Sequence, residues 1–214
     1  MRLVVPTLFS LTKKEFDKKL MNLSFAKRIH VDFMDGIFTL KKSVDFDDMK
    51  GLKNLDNVEL EVHIMAYEPI KYIPKIKNYN FKKVFLHYEV FETDSDMQYE
   101  IYEFKKRGLD VALVLNPGTQ VEDAVAYFNM VDSIMLMSVW PGAEGQKFIS
   151  LTHERIKELR GCGFRGEICV DGGINEKNIK RVFESGANNV YVGSHISMND
   201  NPKKIWEKLS SLAN

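Results

Sequence analysis

Cysteine is nearly missing from this chain of 214 residues: Cys162 and Cys169 are the only two. A disulfide framework is therefore not expected, and reduced thiols in a cytoplasmic protein are the plain reading. Charge of one sign is missing too. Thirty Lys and Arg balance thirty Asp and Glu, so the chain as a whole offers no general attraction to nucleic acid or to an anionic membrane. No apolar run approaches the roughly 20 residues that span a bilayer. Pro6 comes too early for the apolar core of a signal peptide. There is no linker, low-complexity tract or charge block, so one domain over residues 1–214 is expected. Neither Gly-x-Gly-x-x-Gly nor a Gly-Lys-Ser/Thr loop occurs, which leaves nucleotide motifs unsupported.

What is present is alternation. Short apolar, strand-like runs are read near Leu3–Thr7, Arg28–Asp32, Val58–His63, Lys83–His87, Val111–Leu115, Ser133–Met137, Glu167–Val170 and Asn188–Val192. Between them the helical spacing predicts helices near Lys13–Leu23, Val44–Leu52, Pro69–Tyr79, Met97–Lys106, Val121–Phe128, Leu151–Cys162, Glu176–Ser185 and Pro202–Leu212. Thr12 and Asn175 stand where helix caps belong, and Gly108 and Gly186 where helices stop. Eight strands alternating with eight helices argue for an α/β protein, a (β/α)8 TIM barrel. An open doubly wound sheet is the competitor, because periodicity does not prove closure.

Barrel active sites lie at the C-terminal ends of the strands. There the chain carries His30 and Asp32, His63, and Asp171. Residues two apart on a strand share a face, so His30 and Asp32 point the same way. Two imidazoles and two carboxylates can hold one divalent cation, and zinc, iron, manganese and cobalt all suit such ligands. Asp32 and Asp171 come from strands two and seven. They could approach a substrate carbon from opposite faces, one abstracting a proton and the other delivering one, which inverts a stereocentre. Taken singly, a strand-end His is more often merely solvated, and an Asp a turn former; it is the gathering of four on one rim that carries the reading. Met34, Met65 and Met137 follow ligands or strand ends and would wall the site with polarisable apolar surface. His87 ends strand four and could support a ligand. His153 is expected at the surface, and His195 is given no role.

Three glycine-bearing loops follow the last three strands: Pro141-Gly142-Ala143-Glu144-Gly145-Gln146, Asp171-Gly172-Gly173, and Gly193-Ser194. Loops after strands seven and eight often hold phosphate in this fold, since glycine lets backbone N–H groups approach an oxyanion.

At these residues the chain resembles the ribulose-phosphate 3-epimerase family. The resemblance runs through Pro6-Thr7-Leu8, His30-Val31-Asp32-Phe33-Met34-Asp35-Gly36, Val62-His63-Ile64-Met65, His87, Val114-Leu115-Asn116-Pro117-Gly118-Thr119, Met137-Ser138-Val139-Trp140-Pro141-Gly142, Gly145-Gln146, Val170-Asp171-Gly172-Gly173 and Gly193-Ser194. It implies a metal-dependent barrel enzyme that interconverts ribulose 5-phosphate and xylulose 5-phosphate. It implies His30, Asp32, His63 and Asp171 as ligands of one divalent ion, and Asp32 and Asp171 as the acid/base pair at C3. Met34, Met65 and Met137 would surround the enediolate. Gly142, Gly145, Gly173, Gly193 and Ser194 would lie at the phosphate, and the Thr7 hydroxyl where the family has a substrate-contacting Ser. His63 would also face the substrate. A homo-oligomer, dimer or hexamer, is implied as well.

The chain also departs from the family. Ile37-Phe38-Thr39-Leu40-Lys41 stands where His-Phe-Val-Pro-Asn is usual, Trp140 replaces a small polar or acidic residue, and Ala143-Glu144 replaces Phe-Gly. A carboxylate about 4 Å from a phosphate costs roughly 1 kcal/mol even in water-like dielectric. Glu144 is therefore expected either to point outward or to be compensated by a cation such as Lys147. The departures leave three alternatives open: epimerisation of a longer ketose phosphate such as allulose 6-phosphate, decarboxylation or aldol chemistry, and a non-catalytic sugar-phosphate sensor. The second usually needs Asp-x-Lys-x-x-Asp after strand three, which Glu61–Ala66 lacks.

Overall fold

The computed structural model describes residues 2–213 apart from Asp56. Eight parallel strands close into a barrel in sequence order: β1 (Leu3–Leu8), β2 (Arg28–Met34), β3 (Glu59–Met65), β4 (Phe81–His87), β5 (Asp110–Leu115), β6 (Ser133–Met137), β7 (Glu167–Asp171) and β8 (Asn189–Val192). β8 pairs with β1 along Leu3–Pro6, and that pairing rules out the open sheet. Closure leaves no free strand edge.

Seven α-helices accompany the strands among the described residues: α1 (Lys13–Asn22), α2 (Ile73–Ile76), α3 (Asp94–Lys105), α4 (Thr152–Gly161), α5 (Ile179–Glu184), α6 (Ser194–Ser197) and α7 (Pro202–Ala213). Thr12 caps α1 by accepting from Glu15 N, and Thr93 caps α3 by accepting from Asp96 N. Asn175 does not cap a helix directly. It forms a turn to Lys177 N, and α5 starts only at Ile179.

Two expected helices are 3-10 segments instead. In 44–52 the structure has Phe46–Asp48 and Lys50–Asn54, and in 121–128 it has Glu122–Tyr127. Spacing explains the difference. From Phe46 onward the buried residues are Phe46, Met49 and Leu52 in the first, after Val44 at its start, and they are Val121, Ala124 and Tyr127 in the second. A strict three-residue repeat keeps one face inward at three residues per turn, and drifts off it at 3.6. The segment 69–79 likewise splits into a 3-10 turn, Pro69–Tyr72, and the short α2.

Strand alternation divides the core in two. Outward residues such as Val31, Val62, Leu86, Leu113 and Val190 pack under the helices. Inward residues Val5, Phe85, Val114, Met135, Met137, Cys169 and Tyr191 fill the barrel. His30, Glu61 and His63 share that interior, each fully shielded from solvent.

Candidate active site

Register places the site. The β2–β3 ladder sets Asp32 opposite His63 and Met34 opposite Met65; the β6–β7 ladder sets Met137 opposite Asp171. Ser138 ties the last two strand ends together, its hydroxyl donating to the carbonyls of Asp171 and Gly172.

His30, Asp32, His63 and Asp171 each offer one ligand atom, and the four atoms lie within 4.8 Å of one another. Asp32 Oδ1 is 3.1 Å from His63 Nδ1 and 3.4 Å from His30 Nε2. Asp171 Oδ2 is 4.0 Å from His63 Nδ1.

The electrostatics are those of a crowded anionic cluster. Burial pushes the Asp171 carboxyl up to about 7, and the charge of Asp32 adds to the push. Burial also works against the charge on Asp32, but the neighbouring His30 outweighs it and holds that carboxyl well below the usual range. Burial lowers His63 to about 4. His30 goes the other way, to about 9: burial opposes its charge, but Asp32 and Glu61 prevail.

The residues fit a divalent cation. Both ring nitrogens of His30 are buried without a hydrogen-bond partner. Glu89 accepts from Asn116 N (2.7 Å) and the Thr119 hydroxyl, and meets His87 Nδ1 at 3.1 Å. With His87 Nδ1–H donating to the Glu89 carboxylate, His87 Nε2 is left to accept from His63 Nε2–H at 2.9 Å. That leaves the His63 Nδ1 lone pair facing Asp32, an arrangement that a positive ion between them makes favourable.

A cavity of about 580 Å³ opens above the cluster. It is lined by Asp32 and Asp171, by Met34, Met65 and Met137, by Thr7, and by the 140–146 loop. The Thr7 hydroxyl is buried with no partner. A second lobe, also about 580 Å³, is lined by Gly145, Gly173, Gly193 and Ser194. Gly142 lies in the first lobe only, against Thr39. Gly172 and Gly173 adopt φ of +108° and +65°. A Cβ on Gly172 would stand 2.3 Å from Val139 Cγ2. Gly172→Ala should therefore cost about 1–3 kcal/mol in urea unfolding, through left-handed strain plus overpacking. Gly161→Ala, where nothing lies within 4 Å of the added atom, is the matched control. Equal stability of the two variants would contradict this packing.

Several expectations need correction. Glu144 does not point outward; a cation does compensate it, but that cation is Lys19 rather than Lys147. Its Oε2 is 2.9 Å from Lys19 Nζ of α1, and its Oε1 lies beside Gly193. His153 is buried, packed on the Phe148 ring and 3.3 Å from the Ser185 hydroxyl. His195 meets Glu176 at 2.8 Å. In the altered 37–41 loop, Phe38 turns in against His87, while Ile37 and Leu40 are exposed.

Glu61, Glu89 and Lys19 escaped the sequence reading. Glu61 sits two before His63 on one strand face, so alternation could have found it; its Oε2 is 3.6 Å from His30 Nδ1. Glu89 follows His87 by two. Nothing local marks Lys19, which acts across 125 residues of chain.

Fold and geometry define a class: a closed parallel β/α barrel with a His–Asp cluster and glycine loops at the C-terminal rim. Comparison with known proteins narrows it. The profile of the ribulose-phosphate 3 epimerase family matches residues 3–197, and the chain belongs to that family, a family of epimerases. It is 32% identical over 191 residues to the ribulose-phosphate 3-epimerase of Aquifex aeolicus, covering 86% of this chain and 83% of that one. It is 33% identical over 185 residues to that of Bacillus subtilis, covering 84% of each. Among solved structures, a Mycobacterium tuberculosis tryptophan synthase aligns over 99% of this chain and 92% of that one, with a TM-score of 0.73 and 12% identity, a likeness of fold alone. No described helix is long and apolar enough to cross a membrane.

Proposed function

We propose that this protein, one barrel domain in the cytoplasm, epimerises ribulose 5-phosphate to xylulose 5-phosphate at C3. The observation that carries the reading is the approach of Asp32 and Asp171, from β2 and β7, to two histidines in one buried cluster. His30, Asp32, His63 and Asp171 would hold one divalent ion: zinc, iron, manganese or cobalt. When bound, such an ion supplies Lewis-acid polarisation of the C2 carbonyl.

The chain's own groups do the rest. One aspartate takes the C3 proton, leaving an enediolate. The other, as a carboxylic acid, gives a proton to the opposite face, and the two exchange roles for the reverse reaction. β2 and β7 are three strands apart on a ring of eight, which suits attack from two sides. Met34, Met65 and Met137 keep water from the reacting carbon. Thr7 donates to a substrate oxygen, while Gly142, Gly145, Gly173, Gly193 and Ser194 receive the phosphate through backbone N–H groups. The protein would assemble as a homo-oligomer, dimer or hexamer.

Incubation with ribulose 5-phosphate in deuterated water tests the reading. Deuterium at C3 together with xylulose 5-phosphate is the expected result. Turnover of allulose 6-phosphate alone would move the substrate to the longer ketose, and label with neither would reject the reaction.

A further inference from the structure

Among the described residues, no lysine or arginine lines either lobe of the cavity. The carboxylates Asp32, Asp171 and Glu144 face the first lobe, and the one basic side chain in the second, His195, is engaged by Glu176. A site that takes a phosphate dianion thus shows it no free cation.

A cation is nevertheless close behind the wall. Lys19 is 4% exposed, and its ammonium meets three oxygens: Phe9 O at 2.8 Å, Glu144 Oε2 at 2.9 Å and Glu15 Oε1 at 3.0 Å. An ammonium has three donors, so all of them are used. A fourth acceptor can enter only by replacing one of the three. Phe9 O is main chain, and Glu15 belongs to α1 itself, four residues from Lys19. Of the two carboxylates, Glu144 alone lines the cavity. Its other oxygen, Oε1, lies 3.4 Å from the point where a Cβ on Gly193 would stand, buried with no hydrogen-bond partner. The width of one carboxylate therefore separates Lys19 from Gly193, and Gly193 lines both lobes. A phosphate group is of similar width.

We propose that Lys19 is a phosphate-binding residue and that Glu144 is its stand-in anion: the incoming phosphate displaces the Glu144 carboxylate and takes its place between the Lys19 ammonium and the Gly193 backbone. The exchange swaps one acceptor on Lys19 for a stronger anion. It also explains how a loop that carries a carboxylate into an anion site remains compatible with binding there. This inference rests on the sugar-phosphate reading of the same site and adds the residue that supplies the charge.

Titration calorimetry with inorganic phosphate, in chelator so that the His–Asp cluster cannot report, tests it without any turnover. Lys19→Met should weaken phosphate binding threefold or more, and Lys19→Arg should hold it within threefold. Glu144→Ala and Glu144→Gln should tighten it, because the competing anion is gone. Lys19→Met leaves Glu15 and Glu144 without their cation, so Lys19→Met/Glu144→Gln serves as a charge-relieved partner and should bind at least threefold more weakly than Glu144→Gln, from which it differs only at Lys19. Phosphate binding by Lys19→Met/Glu144→Gln within threefold of Glu144→Gln overturns the proposal, as does weaker binding by Glu144→Ala. A parent protein that fails to epimerise ribulose 5-phosphate while showing this binding pattern would reject the reaction and leave the Lys19 site standing.

Discussion

Asp171→Asn is expected to lose epimerisation of ribulose 5-phosphate by about 10³-fold or more, in the range that loss of a positioned proton-transfer group produces. Asp32→Asn should do the same. On the proposed two-aspartate mechanism either variant removes one of the two proton paths to C3, so inversion should fail even where the other face still exchanges. Proton NMR of C3 in deuterated water reads this directly. Retained inversion in both variants would end the two-aspartate mechanism. Stability separates this effect from misfolding. Burial and Asp32 hold the Asp171 carboxyl near 7 in the folded chain, against an ordinary value of 3.8. A carboxyl raised in the folded state contributes stability that is present below its unfolded value and lost as pH rises through the folded one. The Asp171 contribution is therefore lost between about pH 4 and pH 7, a window in which His63, lowered to about 4, acts in the opposite direction, so the comparison with Asp171→Asn isolates it. Asp171→Asn does not pay that penalty. In chelator at pH 8 it should melt above the parent, with the margin shrinking toward pH 4. A lower melting temperature at pH 8 would show that Asp171 is not crowded by Asp32 as the geometry has it.

Chelation is the second large effect. Removal of divalent metal should abolish C3 inversion, and one equivalent per chain should restore it. The reason is the charge balance of the cluster. Asp32 and Asp171 lie in a buried group whose four ligand atoms fall within 4.8 Å of one another, and that repulsion is what a divalent ion relieves. The metal should also stabilise the fold, by about 2.7 kcal/mol at a free concentration 100 times its dissociation constant. His63→Ala should weaken metal binding and remove most of this gain. Full activity in metal-free protein would defeat the ligand assignment whatever ion was tried.

Much of the barrel was readable before any coordinates. Strand boundaries such as Ser133–Met137 coincide with the apolar run, because a strand buried on both faces leaves an unbroken hydrophobic signal. Helices were less legible. Segments 44–52 and 121–128 have enough apolar residues for an α-helix, and only the three-residue repeat of buried positions separates a 3-10 turn from it. The His–Asp cluster was half visible: His30 and Asp32 share a face by alternation on one strand. Their meeting with His63 and Asp171 depends on which residues pair across β2–β3, and on ring closure that brings β7 round to β2.

Local covalent order determined, by itself, the alternation of strands and helices, the side of each strand that a residue faces, and the presence of two histidines and two aspartates at strand ends with glycine loops after the last strands. Those properties depend on neighbours a few positions apart, and a sequence records such neighbours directly. Tertiary structure alone decided that the sheet closes, that His63 is backed by His87 and Glu89, and that Glu144 turns inward to Lys19. Each of these joins segments distant along the chain, and a contact of that kind is set by packing and charge balance in three dimensions, which no local pattern encodes.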